Sequence, residues 1–274
     1  MGDWTPRELR FSNLGLRLMS AAVLIPLAIG GVWLGNWVLA VLCAAGAGIM
    51  AWEWSGISGF PRPAAMIAFA VAACLSLPLH TPLLTSGIFA AGFSFLALVA
   101  KGGGRARGAA AFGFLYVSLM PAALWLLRDG PWEGRSAALY FMSFVWASDA
   151  AAYFTGRGLG GPRLLPSESP NKTWSGAIGA VIACALCGLA AADIERVPFI
   201  NWVLAGIAIS VVAQVGDLFE SGLKRRFKVK DSGSLLPGHG GVLDRVDGLG
   251  AVSVFAVLLF ELVQGLPAQL GLQS

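Results

Sequence analysis

"WSGAIGAVIACALCGLAAA", residues 174–192, contains no charged side chain. A helix needs about 20 mostly apolar residues to cross the hydrocarbon core of a bilayer, so this stretch predicts a membrane-spanning helix. Its Cys184 and Cys187 form a C-x-x-C pair, a spacing that also occurs in metal and redox sites. Because neither a second pair nor a nearby histidine accompanies them, we interpret both as small buried side chains and expect no disulfide.

The composition extends this prediction to the whole chain. Of the 274 residues, 57% are hydrophobic and 12% are charged, whereas a soluble domain averages about 25% charged residues. So little charge argues against a water-soluble globule and predicts an all-α, polytopic integral membrane protein with about nine transmembrane helices. We expect no cleaved signal peptide. The candidate spans are residues 17–35, 36–53, 63–80, 83–100, 109–127, 136–154, 174–192, 199–217 and 246–265.

The distribution of basic residues predicts the orientation. If the N-terminus is cytoplasmic, all but three of the 19 lysines and arginines fall on the cytoplasmic side, the exceptions being Arg128, Arg135 and Arg196. This bias follows the positive-inside rule and predicts a cytoplasmic N-terminus. Six tryptophans fall near predicted span ends, as interfacial tryptophans do. They are Trp33, Trp37, Trp52, Trp54, Trp125 and Trp202.

Two polar features on the predicted cytoplasmic side lie between the end of the sixth span and the start of the seventh. Asp149 lies near the end of the sixth span, where an ionisable residue indicates function unless it sits at interfacial depth. The loop "TGRGLGGPRLLPSESPNKTWS", residues 155–175, is rich in glycine, and its Ser169, Lys172 and Thr173 precede the seventh span. Free N–H groups at a helix N-terminus suit a phosphate. The loop lacks the Walker pattern, and many connecting loops resemble it.

Two acidic pairs lie around the last predicted cytoplasmic loop. Asp217 and Glu220 end the eighth span, and Asp244 and Asp247 open the ninth, each pair at i and i+3 on one helix face. Solvated helix ends, or acids favoured by a helix dipole, would explain each pair alone. Together they offer several oxygen ligands for a hard divalent ion such as Mg²⁺.

A basic run and a glycine-rich turn lie between these pairs. The basic residues alone would suit an ordinary positive-inside loop, and a lone loop histidine such as His239 is usually a surface group. Bases, acids and glycines together indicate a site for metal-bridged phosphates. The basic residues are Lys224, Arg225, Arg226, Lys228 and Lys230.

Residues 221–247, "SGLKRRFKVKDSGSLLPGHGGVLDRVD", resemble the diagnostic motif of the phosphatidate cytidylyltransferases, also called CDP-diacylglycerol synthases. The segments "DAAAYFTGRGLG" (149–160) and "SPNKTWSG" (169–176) are also similar to elements of this family, so the resemblance covers the C-terminal half. Asn171 and Ser175 depart from the family's usual residues, which leaves the roles of these two positions open.

The resemblance implies a nucleotidyltransferase of phospholipid biosynthesis that transfers the cytidylyl group of CTP to phosphatidate, giving CDP-diacylglycerol and pyrophosphate. It further implies a multi-pass protein of the inner (plasma) membrane, in contact with membrane lipids and not with nucleic acid, with its active site on the cytoplasmic side. The resemblance does not decide whether the protein forms a homodimer. We expect residues 1–130 to form about five N-terminal spans and residues 131–274 to form the catalytic region, with cytoplasmic loops 155–174 and 218–245.

The resemblance also assigns residues to roles. It implies that Asp217 and Asp244 hold Mg²⁺, and it leaves a second, monovalent ion open. Lys172, Lys224 and Arg225 would neutralise phosphate charge, and His239 would orient a phosphate or assist the leaving pyrophosphate. Additional metal ligands are expected at Glu220, Asp247 and Asp149. Further substrate-binding residues are expected at Ser169, Thr173, Ser221, Lys230, Asp231, Gly240, Gly241 and Arg245.

Three other functions fit this sequence less well. An ion-coupled transporter would place acids at the bilayer midplane and carry related halves, and the sequence shows neither. A CDP-alcohol phosphotransferase would carry its own aspartate-rich pattern, of which "DRVDGLGA" (244–251) offers only the D-G fragment. A non-catalytic scaffold would have lost motif positions, and none of the core motif is missing.

Overall fold

The computed structural model of the chain describes residues 7–131, 134–235, 240–263 and 270, with side chains described from Met19 onward. Within these ranges, one α-helix corresponds to each predicted span. They are α1 (Arg7–Leu34), α2 (Asn36–Ser58), α3 (Pro63–Ser76), α4 (Pro82–Val99), α5 (Gly104–Asp129), α6 (Arg135–Leu159), α7 (Trp174–Glu195), α8 (Phe199–Arg226) and α9 (Leu243–Leu262).

The predicted all-α class of membrane protein agrees with these helices. Five of them, α2, α4, α5, α7 and α8, are long and apolar enough to cross a membrane. The described apolar parts of α1 and α3 are shorter, and α6 and α9 carry acids of the candidate site. The count of nine spans and the cytoplasmic N-terminus stay predictions.

One small sheet departs from the all-α prediction. Within the predicted loop 155–174, strands β1 (Arg163–Leu165) and β2 (Ser169–Thr173) form an antiparallel hairpin. Gly160 and Gly161 have positive φ angles of 63° and 112°, a conformation that glycine adopts at little cost, and they end α6 before the hairpin. The hairpin therefore holds Lys172 at a defined position beside the start of α7.

Packing divides the helices into two groups that α9 joins. Helix α5 packs against α2, α3 and α4, while α6, α7 and α8 pack against one another. Helix α9 packs against both α5 and α8. The position of α9 therefore depends on both halves of the chain.

The surface and the interior have the character of a membrane protein. Large apolar side chains such as Leu83, Leu98 and Ile182 are exposed on the helices, as lipid-facing residues are. The four cysteines are free: Cys43, Cys74 and Cys184 are buried and Cys187 is half-buried.

The six tryptophans fall into two sets. Three of them, Trp33, Trp37 and Trp52, are exposed, as interfacial residues would be. The other three are buried, so the interfacial interpretation is wrong for them. Their indole N–H groups donate to backbone carbonyls, because a buried indole needs an acceptor. The pairs are Trp54 to Ala109 (3.1 Å), Trp125 to Asn36 (3.0 Å) and Trp202 to Leu270 (3.0 Å).

Candidate active site

Three carboxylates from two helices meet at the end of the α8–α9 pair. Asp217 and Glu220 lie one turn apart on α8, and Asp247 lies on the first turns of α9. Each offers an oxygen, and these oxygens all lie within 4.8 Å of one another. The i, i+3 spacing thus brings both acids of α8 to the face that contacts α9. We call these three residues the acidic cluster.

Two of the three carboxylates of the acidic cluster are shielded from solvent. Glu220 is 1% exposed and Asp247 is 9% exposed. Apart from an ion pair with Lys224, the Glu220 oxygens have no hydrogen-bond partner among the described residues. Carboxylates this close repel one another unless a proton or a cation lies between them. A set of oxygen ligands that includes a buried carboxylate oxygen without a partner among the described residues, Glu220 Oε1, suits a hard divalent cation.

Lys224 connects the acidic cluster to Asp244. Its ammonium nitrogen lies 2.8 Å from a Glu220 oxygen and 2.7 Å from Asp244 Oδ1. The Asp244 carboxylate also accepts hydrogen bonds from the backbone N–H groups of Ser232 (3.0 Å) and Gly241 (2.8 Å). Asp244 therefore lies beside the acidic cluster, with both oxygens occupied by donors.

Lys172 and Asp149 bring two further elements to the acidic cluster. Lys172, on β2, forms an ion pair with Asp217. Asp149, exposed on α6, interacts electrostatically with Asp217, Lys172 and Arg245. The hairpin, α6, α8 and α9 thus converge at one place, and charges of both signs alternate there.

The residues just before α7 have local structural contacts. The Thr173 hydroxyl accepts a hydrogen bond from Gly176 N (3.1 Å) and so caps the helix N-terminus. Ser175 donates to the Gly160 carbonyl and lies 3.0 Å from the Thr173 hydroxyl. Ser169 begins β2 and is half-buried, while Asn171 is exposed.

The other predicted residues lie around this centre. Arg225 donates to the carbonyls of Glu168 (3.4 Å) and Val229 (3.2 Å), which ties the hairpin turn to the end of α8. Gly240 has a φ of 82°, a left-handed conformation that favours glycine. His239 lies outside the described residues. Ser221 is half-buried, and Lys230, Asp231 and Arg245 are exposed.

Two residues of this region, Glu53 and Tyr116, lie outside the predicted set of site residues. Glu53, on α2, is 2% exposed and accepts hydrogen bonds from the N-terminus of α9. Tyr116, on α5, has a buried hydroxyl without a partner among the described residues, within electrostatic range of Glu220 and Asp247. The sequence contains a signal for Glu53, because a carboxylate inside a predicted span is costly and so indicates a function. The sequence contains no such signal for Tyr116, since a tyrosine within a helix is common.

Comparison with known proteins identifies the group to which these residues belong. The sequence model of the cytidylyltransferase family matches residues 15–263. The phosphatidate cytidylyltransferase of Brucella suis is 40% identical over 254 residues, covering 90% of this chain and 93% of that protein. That of Pseudomonas aeruginosa is 34% identical over 271 residues, covering 92% and 98%.

A Bacillus subtilis protein of the same name is 44% identical over 138 residues, about half of each chain. The family resemblance of the motif at 221–247 is thereby confirmed, and the family match also takes in the N-terminal helices and Glu53. The chain belongs to the cytidylyltransferase family.

Proposed function

We propose that this protein transfers the cytidylyl group of CTP to phosphatidate, forming CDP-diacylglycerol and pyrophosphate. The names and the coverage of its relatives support this activity. The structural observation that carries it is the acidic cluster with Lys172 and Lys224 in direct contact with its carboxylates. A nucleotide triphosphate requires both kinds of charge, acids for its metal ion and bases for its phosphate oxygens.

Mg²⁺ is the metal that we assign to the acidic cluster. Asp217, Glu220 and Asp247 would hold it, and Glu220 Oε1, which has no partner among the described residues, supports that assignment. When bound, the ion would neutralise charge on the reacting phosphate and on the departing pyrophosphate. Asp149 lies at the edge, and Asp244 would have to release Lys224 to become a ligand. A second, monovalent ion stays a prediction.

The chain's own residues position the reactants. A phosphate oxygen of phosphatidate attacks the α-phosphorus of CTP, and the bond from that phosphorus to the oxygen bridging to the β-phosphorus breaks. The phosphate monoester is itself a competent nucleophile, so no covalent enzyme intermediate is required. Lys172 and Lys224 bind phosphate oxygens, and Arg225, Arg245 and Lys230 add positive charge around them. Catalysis then consists of alignment and charge neutralisation.

The membrane location follows from the chemistry of the two substrates. Phosphatidate keeps its acyl chains in the bilayer, while CTP arrives from water, so the reaction belongs at a membrane surface. Asp217 follows the charge-free stretch 199–216 of α8, which suits a site near the bilayer's edge. We place this edge at the cytoplasmic face of the inner membrane, with acyl chains entering sideways between helices. A homodimer stays a prediction.

A direct assay tests this function. Detergent-solubilised protein is supplied with labelled CTP, phosphatidate and Mg²⁺, and label is measured in the organic phase. We expect lipid label to form with release of pyrophosphate and to require the divalent ion. Wild-type protein that forms no labelled lipid under these conditions would contradict the proposed function.

Variants of the acids test the site. Asp217→Asn should abolish incorporation while the protein remains folded, because it removes one charge from the acidic cluster. Asp244→Asn should also abolish it, because it disconnects Lys224 and the N–H groups of Ser232 and Gly241. Asp193→Asn is the matched control, since Asp193 is exposed near the far end of α7 and should keep full activity. Activity that persists in Asp217→Asn would refute the metal assignment.

A further inference from the structure

A buried carboxylate on α2 binds the start of α9. Glu53 Oε1 accepts a hydrogen bond from Val242 N (2.8 Å), and Oε2 accepts one from Leu243 N (2.9 Å). These are among the backbone N–H groups that a helix leaves unsatisfied at its N-terminus. Helix α9 has no side-chain cap of its own at Val242. Glu53 therefore caps α9 from a helix that lies 189 residues earlier in the chain.

Glu53 also holds the segment that precedes α9. Its Oε2 accepts a hydrogen bond from the Ser232 hydroxyl (3.2 Å), while the Ser232 backbone N–H donates to Asp244. Gly241 lies against the same group, because a side chain there would collide with the Ser232 hydroxyl and both Glu53 oxygens. Two carboxylates, Glu53 and Asp244, thus fix the two ends of the segment from Ser232 to Gly241.

Among the described residues, hydrogen-bond donors rather than a cation compensate the charge of Glu53. In the described part of the chain, no lysine or arginine forms an ion pair with it, and its carboxylate is 2% exposed. Three donors, two of them at a helix N-terminus, provide the compensation. Burying a carboxylate is costly unless donors satisfy its oxygens, so these three hydrogen bonds stabilise the contact. The contact is therefore specific to this arrangement of α2 and α9.

Helix α2 is a firm support for this contact. The neighbouring Trp54 is buried, donates to the Ala109 carbonyl of α5, and packs edge-on against Phe227 at the end of α8, with ring centroids 5.5 Å apart. A side chain at Gly113 of α5 would collide with the Trp54 indole. Glu53 thus stands on a helix that is packed against both α5 and the end of α8.

We propose that Glu53 is a positioning residue for the active site: it holds the N-terminus of α9 so that Asp247 stays beside Asp217 and Glu220 of α8. Only α9 supplies Asp247, and a small rotation or shift of its first turn would separate the acidic cluster. The N-terminal helices thereby contribute to the chemistry although the acidic cluster draws no carboxylate from them. This inference rests on the proposed function.

The test compares Glu53→Gln with Asp129→Asn in the full-length protein. Glutamine has nearly the size of glutamate, but its amide offers donors to groups that already donate. Asp129 is the matched control because its carboxylate also caps another helix, accepting from Asn36 N (2.8 Å) at the start of α2. Asn36 lies 17 residues before Glu53, about 25 Å along α2, so this cap is remote from the acidic cluster.

The readouts are turnover, the Mg²⁺ concentration for half-maximal activity, and Mn²⁺ binding by electron paramagnetic resonance without substrates. For Glu53→Gln we expect turnover to fall at least tenfold, and the Mg²⁺ midpoint and Mn²⁺ dissociation constant to rise several-fold. For Asp129→Asn we expect these three quantities to stay unchanged, even if its thermal midpoint falls as much as that of Glu53→Gln. Glu53→Asp, which keeps the charge, should recover part of the loss.

Two further variants keep the test decisive if Glu53→Gln does not fold. Ser232→Ala removes one of the three donors and should shift the Mg²⁺ midpoint in the same direction by a smaller factor. The double variant Glu53→Asp with Ser232→Ala should lose less than the product of the single effects, because both changes act on one contact. If every Glu53 and Ser232 variant has the activity and the metal dependence of the wild-type protein, the inference is overturned. The proposed function would remain intact.

Discussion

Lys224 is the residue on which the charge balance of the site depends. Its ammonium group pairs with Glu220 of α8 and Asp244 of α9, whose side chains are 2% and 5% exposed. Removing one partner of a buried ion pair is costly, because the remaining charges lose their compensation without regaining water. Lys172 has a different environment, since its side chain is 27% exposed and that of its partner Asp217 is 39% exposed.

Replacing these two lysines by methionine should therefore separate stability from activity. Lys224→Met leaves two buried carboxylates without their shared cation, and we expect the free energy of unfolding to fall by about 3–5 kcal/mol. Lys172→Met should lower stability much less, because water solvates Asp217. Both variants should lose cytidylyl transfer. Thermal unfolding in detergent and the labelled-CTP assay measure the two effects, and equal stability of the two variants would contradict this charge balance.

Metal removal gives a second prediction at the level of single residues. The repulsion among Asp217, Glu220 and Asp247 should be relieved when a divalent ion binds between them. Mg²⁺ should therefore raise the thermal midpoint of the purified protein, and a chelator should lower it. In Asp217→Asn the same titration should give a smaller shift. If Mg²⁺ does not change the thermal midpoint of the wild-type protein, that result would contradict a metal site at these carboxylates.

Sequence spacing could predict some of these residues and not others. The i, i+3 pairs placed Asp217 with Glu220 because a helix brings such positions to one face. The contact of Asp247 with them depends on how α8 packs on α9, which spacing within each helix cannot give. Glu53 lies far away in the chain and binds backbone N–H groups rather than a charged partner, so no charge pattern indicated its contact.

Among the elements, α7 and α8 show how small residues let helices approach closely. A side chain at Gly188 of α7 would collide with the Trp202 carbonyl of α8, and one at Gly206 of α8 would collide with the Cys184 carbonyl of α7. Close backbone approach through small residues is a common way for membrane helices to associate. This contact holds α8, and with it Asp217 and Glu220, beside the hairpin that carries Lys172.

Gly206→Ala should consequently destabilise the protein. The added methyl group has no space beside the Cys184 carbonyl, so the helices must move apart, at a cost of about 1–3 kcal/mol. Gly46→Ala in α2 is the control, because a Cβ there meets no atom within 4 Å. Alanine should stabilise that helix by up to about 1 kcal/mol. Thermal midpoints measure both effects, and a Gly206→Ala midpoint equal to that of Gly46→Ala would refute close packing.

For the helices, apolar runs in the sequence predicted that each one exists but not where it ends. Helix α8 continues to Arg226, nine residues beyond the predicted span 199–217, because its charged last turns are held by the hairpin and α9 rather than by lipid. The hairpin itself carries no alternating apolar pattern. It depends on the turn residues around Pro166 and on contacts with α7. Tertiary contacts therefore decide the features that hydropathy could not indicate.

In the whole molecule, the polar segments lie at two opposite ends. The site end holds the hairpin, the segment after α8 and Glu53 near the end of α2. The other end holds Arg128 and Asp129, which bind the α1–α2 junction through Val32 (2.6 Å) and Asn36 (2.8 Å). Between these ends, exposed apolar side chains cover the helices. Such an arrangement suits a protein that crosses the bilayer and works at one face.

Cysteine labelling in intact spheroplasts should reveal which face this is. Thr81, at the start of α4, and Ser234, between α8 and α9, are both exposed, and the positive-inside prediction assigns them to opposite sides. A membrane-impermeant maleimide should label Thr81→Cys directly and Ser234→Cys only after the membrane is permeabilised. The unsubstituted protein is the control, since its cysteines are buried or half-buried within helices. Direct labelling of Ser234→Cys would overturn the cytoplasmic placement of the site, because the basic loop would then face outward despite its charge.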